Sequence, residues 1–250
     1  MKSVVAIITD FGLKDGFVGA MKGVVLNINP DAQIVDISHE VEPFDVFQGA
    51  FLLKAHLSYF PKGTVFLCVV DPGVGSERLP VVVEAGDYVF VGPNNGIFDF
   101  ALESLKVDFK AYKIEKYTLP VISQTFHGRD VFAPVAGHLS RGLKPQEVGS
   151  PIEYTFHLKW EEPYREDQWL VGKVVYFDRF GNCITNIPCG DYKEALFRGQ
   201  KLRILSHFLQ AKEGEPALIC NSFGLMELFF PMSNARERLL VKRGEEVRVR

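Results

Sequence analysis

The chain has 250 residues, of which 47% are hydrophobic and 24% charged, with a formal net charge of −3. This length accommodates one large domain or two modest ones with a sizeable core. The charge balance excludes the basic footprint of a nucleic-acid binder and the polybasic face of a membrane-surface protein. No apolar run approaches the roughly 18–20 residues of a membrane helix. The first apolar stretch, residues 4–8, is too short for a secretory signal and lacks a small-residue cleavage site, so a cytoplasmic protein is expected.

The first half alternates strand and helix. Residues 4–8 form a fully apolar strand type, and residues 16–28 carry Phe17, Met21, Val24, Val25 and Ile28 at near-helical spacing before Asn29-Pro30 stops them. A short strand is expected at 33–37. A helix is expected at 43–59, opened by Pro43 and ended by Pro61-Lys62-Gly63. The next strand spans 64–70. A hairpin around Ala85-Gly86-Asp87 joins 80–84 to 88–91, and helices are expected at 95–105 and 129–139. This alternation predicts an α/β domain with a mostly parallel, doubly wound sheet over residues 1–160.

Beyond it, residues 161–168 are charged, contain Pro163 and read as a linker. Short alternating strands follow at 170–177, 183–187, 201–205, 216–220, 225–229, 239–241 and 246–249, separated by turns such as Asn221-Ser222-Phe223-Gly224. They predict a smaller antiparallel β-barrel or sandwich over 169–250. Cys68, Cys183, Cys189 and Cys220 form no CxxC pair and no zinc-ligand spacing, so reduced thiols and no metal are expected.

Two buried strands run into acids. Residues 4–8 end on Thr9-Asp10, and 65–70 end on Asp71; glycines follow both. Ligands of open α/β sheets bind at the carboxyl ends of strands, and glycine lets backbone approach a ligand closely. A capping role would explain either acid taken singly; the pair together favours a site. The loop "DPGVGSER" brings Arg78 round toward Asp71, where it would fix the carboxylate's orientation. In "TFHGRDVFAPVAGH", His127 precedes a glycine at a helix start, a plausible catalytic position. His39 and His138 are weaker candidates. The residues alone describe a two-domain small-molecule enzyme with an acid–arginine–histidine site and leave its substrate open. A metal-dependent hydrolase built on Asp10, Asp71, His39 and His127 is a rival reading.

Seven stretches in order, "TDFGLKDGFVGAMKG", "PFDVFQGA", "VVDPGVGS", "VGPNNGIF", "TFHGRDVFAPVAGHL", "FDRFGNCITNI" and "NSFG…SNA", resemble the S-adenosylmethionine hydroxide adenosyltransferases, the water-using relatives of fluorinase and chlorinase. The resemblance covers nearly the whole chain. It implies an α/β domain followed by a β-barrel-like domain. It also implies a homotrimer with each active site at a subunit seam, and hydrolysis of S-adenosylmethionine to adenosine and methionine without metal or cofactor. Carried over motif by motif, the catalytic set falls on Asp71, Arg78 and His127. Asp10 would bind the ribose and Phe44 would pack on the substrate. Asp178 and Ser222 would receive the methionine end, and Asn182, Asn234 and Ala235 the adenine. Asp15, in the first loop, is a weaker candidate. The chain departs from fluorinase in having Asp71 for a tyrosine, Gly128 for a halide-holding serine, Phe44 for a wall tryptophan and Ile184 at a second wall position. A carboxylate at 71 would repel halide and favour water. A non-catalytic adenosine or S-adenosylmethionine sensor is a rival reading of the same resemblance.

Overall fold

In the computed structural model, which describes residues 3–250, Val4–Thr9 (β1) has its last five residues buried, as an apolar run covered on both faces requires. It lies between two parallel neighbours, Gln33–Ser38 (β2) and Val65–Val69 (β3). The chain divides into two compact units, Met1–Lys159 and Trp160–Arg250.

In the first unit the sheet continues from β3 to Tyr88–Pro93 (β5), Pro80–Ala85 (β4), Phe109–Lys113 (β6) and Pro151–Ile152 (β7). β2, β1, β3 and β5 are mutually parallel, and the remaining pairings are antiparallel. Helices Phe17–Ile28 (α1) and Ala133–Ser140 (α4) cover one core, where Met21, Val25, Val135 and Ala136 meet Val5, Ile7, Leu67 and Val69. Val46–His56 (α2) and Asp99–Leu105 (α3) complete the helical layers. Thr9 pairs with Val69. Asp10 and Asp71 therefore leave adjacent parallel strands at the same edge.

Three expected helices begin differently, and the one expected at 95–105 starts only at Asp99. The segment opened by Pro43 becomes helical only at Val46, because Phe44 takes φ +69° and Asp45 caps the helix, its carboxylate accepting from the Gln48 N–H at 3.0 Å. The segment expected at 129–139 starts as a wide π turn, Gly128–Phe132, before α4.

The second unit is a closed seven-stranded barrel. Its order is Trp169–Phe177 (β9), Cys183–Pro188 (β10), Leu225–Phe229 (β14), Ala217–Cys220 (β13), Gln200–Leu205 (β12), Ala195–Phe197 (β11) and Glu246–Val249 (β15), returning to β9. All pairings are antiparallel except β12–β13. Closure leaves no open edge. Val174, Cys183, Leu202, Leu218, Met226 and Val247 are among the side chains that fill the interior.

The stretch expected as a linker folds with this unit. Tyr164–Glu166 (β8) pairs with β9, and the Glu161 carbonyl accepts from Asn186 Nδ2 at 2.6 Å. The strand expected at 239–241 is instead a turn that follows a short helix, Ala235–Arg238 (α5). Asn234 caps it by accepting from the Glu237 N–H at 2.9 Å, and Leu240 at φ +51° ends the turn.

The cysteine expectation needs correction. Cys189 and Cys220 form a disulfide, with Cα atoms 5.3 Å apart. Pro188 pairs with Leu225 and Cys220 with Met226, so the two cysteines converge at the start of β14 although 31 residues separate them. Cys68 and Cys183 are free and buried, and burial pushes the Cys183 thiol up to about 12. Among the described residues no helix is long and apolar enough to cross a membrane, and no group of three or more His, Cys, Asp or Glu is arranged to hold a metal ion.

Candidate active site

The structure brings Asp71, Arg78 and His127 together. Arg78 Nε donates to both Asp71 oxygens, at 2.9 and 3.0 Å, and Nη2 donates to Asp71 Oδ2 as well. The same Nη2 lies 2.8 Å from His127 Nδ1. The Asp71 and Arg78 side chains are 5% and 10% exposed, so this is a shielded pair rather than a solvated surface one. The guanidinium also lies over the Phe132 ring, 5.1 Å from its centroid.

Local backbone makes this possible. β3 is buried throughout and ends just before Asp71. The loop then turns through Gly75 at φ +77°, where a Cβ would strike the Gln124 carbonyl oxygen; only glycine satisfies both conditions. His127 immediately precedes the π turn. Asp130, in that turn, accepts from the Ser123 N–H at 2.8 Å and from Arg129, which ties down the 119–130 loop together with the Leu119 N–H to Asp130 carbonyl bond at 2.8 Å.

Asp10 and Phe44 form a second pair. Asp10 Oδ2 accepts from the Phe44 N–H at 2.9 Å. Phe44 holds an unfavourable left-handed conformation for a bulky residue while its side chain is 71% exposed. Backbone strain beneath an exposed aromatic is a recurrent mark of ligand contact. Burial raises the Asp10 carboxyl above the ordinary carboxylate value; the Phe44 N–H opposes this, and the Asp71 charge adds to the rise. The Asp71 charge therefore reaches Asp10. Burial lowers His127, and the Arg78 charge lowers it further, against smaller opposing pulls from Asp71 and Asp130. A guanidinium cannot accept a hydrogen bond, so neutral His127 carries its proton on Nε2. The set thus offers an orienting carboxylate and a ring N–H donor.

His39 has a different part. It is 4% exposed, its Nδ1 lies 2.8 Å from Thr9 Oγ1, and its Nε2 lies 3.0 Å from Asp36 Oδ1. Its carbonyl accepts from the Gly12 N–H at 2.8 Å, so it braces the Asp10 loop from beneath. Asp15 is exposed, and His138 packs against the Tyr117 ring.

In the second unit the 178–182 turn gathers the other candidates. Asp178 accepts from the N–H groups of Phe180 (2.9 Å) and Asn182 (2.8 Å) and from Asn182 Nδ2 (3.0 Å). Asn234 packs on Gly181, which has φ +80°, and the Arg236 N–H donates to the Gly181 carbonyl at 2.9 Å. Asn234 and the buried Ala235 are therefore fixed against this turn. Ser222 stands exposed on the 221–224 turn. Phe180, 75% exposed at the turn's tip, is a further candidate that the sequence reading passed over. So are Asn221 and Glu227; a lone acid inside the apolar strand "LMELF" was the available signal.

Family models match both units: the SAM hydroxide adenosyltransferase N-terminal domain over residues 5–149 and its C-terminal domain over residues 172–248. The chain is 38% identical to an (R)-S-adenosyl-L-methionine hydrolase of Thermus thermophilus, with 98% of each chain covered. It is 34% identical to one of Methanocaldococcus jannaschii, covering 98% of this chain and 95% of the relative. A crystal structure of a conserved protein from Thermotoga maritima superposes with a TM-score of 0.90 at 36% identity, covering 98% of this chain and 99% of the other.

Proposed function

This chain belongs to the SAM hydroxide adenosyltransferase family, and from that premise we propose that it hydrolyses S-adenosyl-L-methionine to adenosine and L-methionine by attack of water at C5′. The observation that carries the reading is the single guanidinium of Arg78 holding both Asp71 and His127 Nδ1. One oxygen–carbon bond forms and the C5′–S bond breaks, its electron pair passing to sulfur. The sulfonium leaves as a neutral thioether, so the departure needs no acid.

The water is the weak partner and must be aligned and relieved of a proton. Alignment with exclusion of bulk water supplies at most about 7–11 kcal/mol, and a positioned base roughly 10²–10⁴-fold. In this reading Asp71 accepts the proton and His127 Nε2–H orients the water oxygen. Asp10 takes the ribose hydroxyls, and Phe44 packs on the nucleoside. Asp178 and Ser222 receive the methionine end, and Asn182, Asn234 and Ala235 the adenine. The substrate supplies the electrophile, and the proposed steps use no cofactor.

We further infer a homotrimer in which the first unit of one subunit and the second unit of its neighbour share each substrate, as the family resemblance implies. Incubation with S-adenosylmethionine, with and without chelator, tests the reading. Chromatography should show adenosine and methionine in equal amounts. In ¹⁸O-water the label should enter the 5′-hydroxyl of adenosine; unlabelled adenosine would rule out direct attack by water.

A further inference from the structure

β14 places Met226 and Leu228 in the barrel interior, so Glu227 between them faces outward by the alternation of strand side chains. It is nevertheless only 5% exposed. Its direct cross-strand neighbours are Ile184 on β10 and Ile219 on β13, and opposed residues share a face. A carboxylate set between two isoleucines is costly to bury, and burial pushes its pKa up to about 7. For stability alone, an apolar side chain would serve this position as well or better.

The partners of Glu227 explain its presence. Asn221 Nδ2 donates to Glu227 Oε2 at 3.2 Å, and the β10–β14 register sets Asn182 diagonally beside the same carboxyl group, close enough to oppose the rise in its pKa. Each asparagine organises its own turn. Asn221 Oδ1 accepts from the N–H groups of Phe223 (2.9 Å) and Leu225 (3.1 Å), closing the turn that carries Ser222. Asn182 bonds Asp178 through both its backbone and its side chain. One carboxyl group therefore stands between two turns whose tips lie 40 or more residues apart in the chain.

We propose that Glu227 is a positioning residue for substrate specificity, holding Asn221 beside Asn182 so that the 178–182 turn, which carries Asp178 and Asn182, and the 221–225 turn, which carries Ser222, close on one S-adenosylmethionine at a fixed separation. This rests on the hydrolase reading for the identity of the ligand. It goes beyond that reading in assigning the spacing of the two turns to a residue that does not touch the substrate.

The test compares Glu227→Met and Glu227→Gln with wild type. Methionine fills the volume without an acceptor. Glutamine keeps the shape but turns an amide donor toward one of the two asparagine amides. Both should raise KM for S-adenosylmethionine about tenfold with kcat within about twofold, and Glu227→Met should melt at or above the wild-type temperature. An unchanged KM overturns the proposal. So does a clear fall in melting temperature in both variants, which would mark a structural brace. A wild-type chain that releases no adenosine from S-adenosylmethionine would defeat the hydrolase reading instead. Calorimetric titration with S-adenosylmethionine still reads the clamp in that case: about tenfold weaker binding to Glu227→Met upholds it, and equal affinity overturns it.

Discussion

Arg78 Nη2 lies 2.8 Å from His127 Nδ1 while the same guanidinium grips Asp71 through Nε at 2.9 and 3.0 Å. Because arginine can only donate, this relationship assigns the histidine tautomer and makes Arg78 the common support of two groups. The replacement Arg78→Lys tests that geometry. A lysine is a single point donor on a flexible stem and cannot span both partners. Its kcat should fall roughly 10²-fold, measured by adenosine release, with a small change in KM. Wild-type turnover would show that Asp71 and His127 need no shared support.

Asp71→Asn retains shape and removes the proton acceptor. A positioned base contributes about 10²–10⁴-fold, so kcat should drop by at least 10²-fold. The melting temperature should also drop, since Arg78 is left in a largely buried position without its carboxylate. Retained activity would move the base elsewhere.

The pH dependence follows from His127. Only the neutral ring can accept from Arg78, and burial with the Arg78 charge lowers its pKa below 6.5. Well above 6.5 the ring is neutral in folded and unfolded chains alike, its stability contribution is fully present, and stability does not vary with pH on its account. As pH falls below 6.5 the unfolded chain takes up the proton first, so this group's stability contribution and the Arg78 contact are lost toward acid. The acid limb of kcat should therefore lie below 6.5 and vanish in His127→Asn. A limb centred above 6.5 would contradict the assigned environment.

Phe44→Ala separates recognition from folding. The ring is 71% exposed, so its truncation should leave the melting temperature nearly unchanged. The proposed packing on the nucleoside predicts a KM increase of about tenfold. An unchanged KM would remove Phe44 from the substrate surface.

Assembly is open to complementation. Asp71→Asn and Asp178→Ala chains, each inactive alone, should regain part of the activity when mixed, because some seams would then join two intact halves. Sizing chromatography should show a trimer. No recovery after verified subunit exchange would indicate sites built within single chains.

The composition of the chain determined a good deal directly. Continuous apolar runs alternating with helical periodicity can be buried only in a sheet covered on both faces, and this made β1, β3 and α1 legible. The short alternating strands after residue 169 similarly indicated a small barrel or sandwich, and β3 running into an acid, followed by a glycine loop, marked Asp71 and Arg78. Tertiary structure decided what pattern could not express. Phe44 ends no periodic run, yet its left-handed backbone delays α2 and turns its N–H to Asp10. Cys189 and Cys220 look unrelated in sequence until β14 draws the ends of β10 and β13 together. Glu227 reads as an odd acid in an apolar strand; only barrel register sets it between Ile184 and Ile219, within reach of two turns. The physical reason is common to all three. Periodicity and propensity report the burial and local backbone of neighbouring residues, whereas a hydrogen bond or disulfide between distant segments depends on strand order and register, which closing the sheet or barrel fixes.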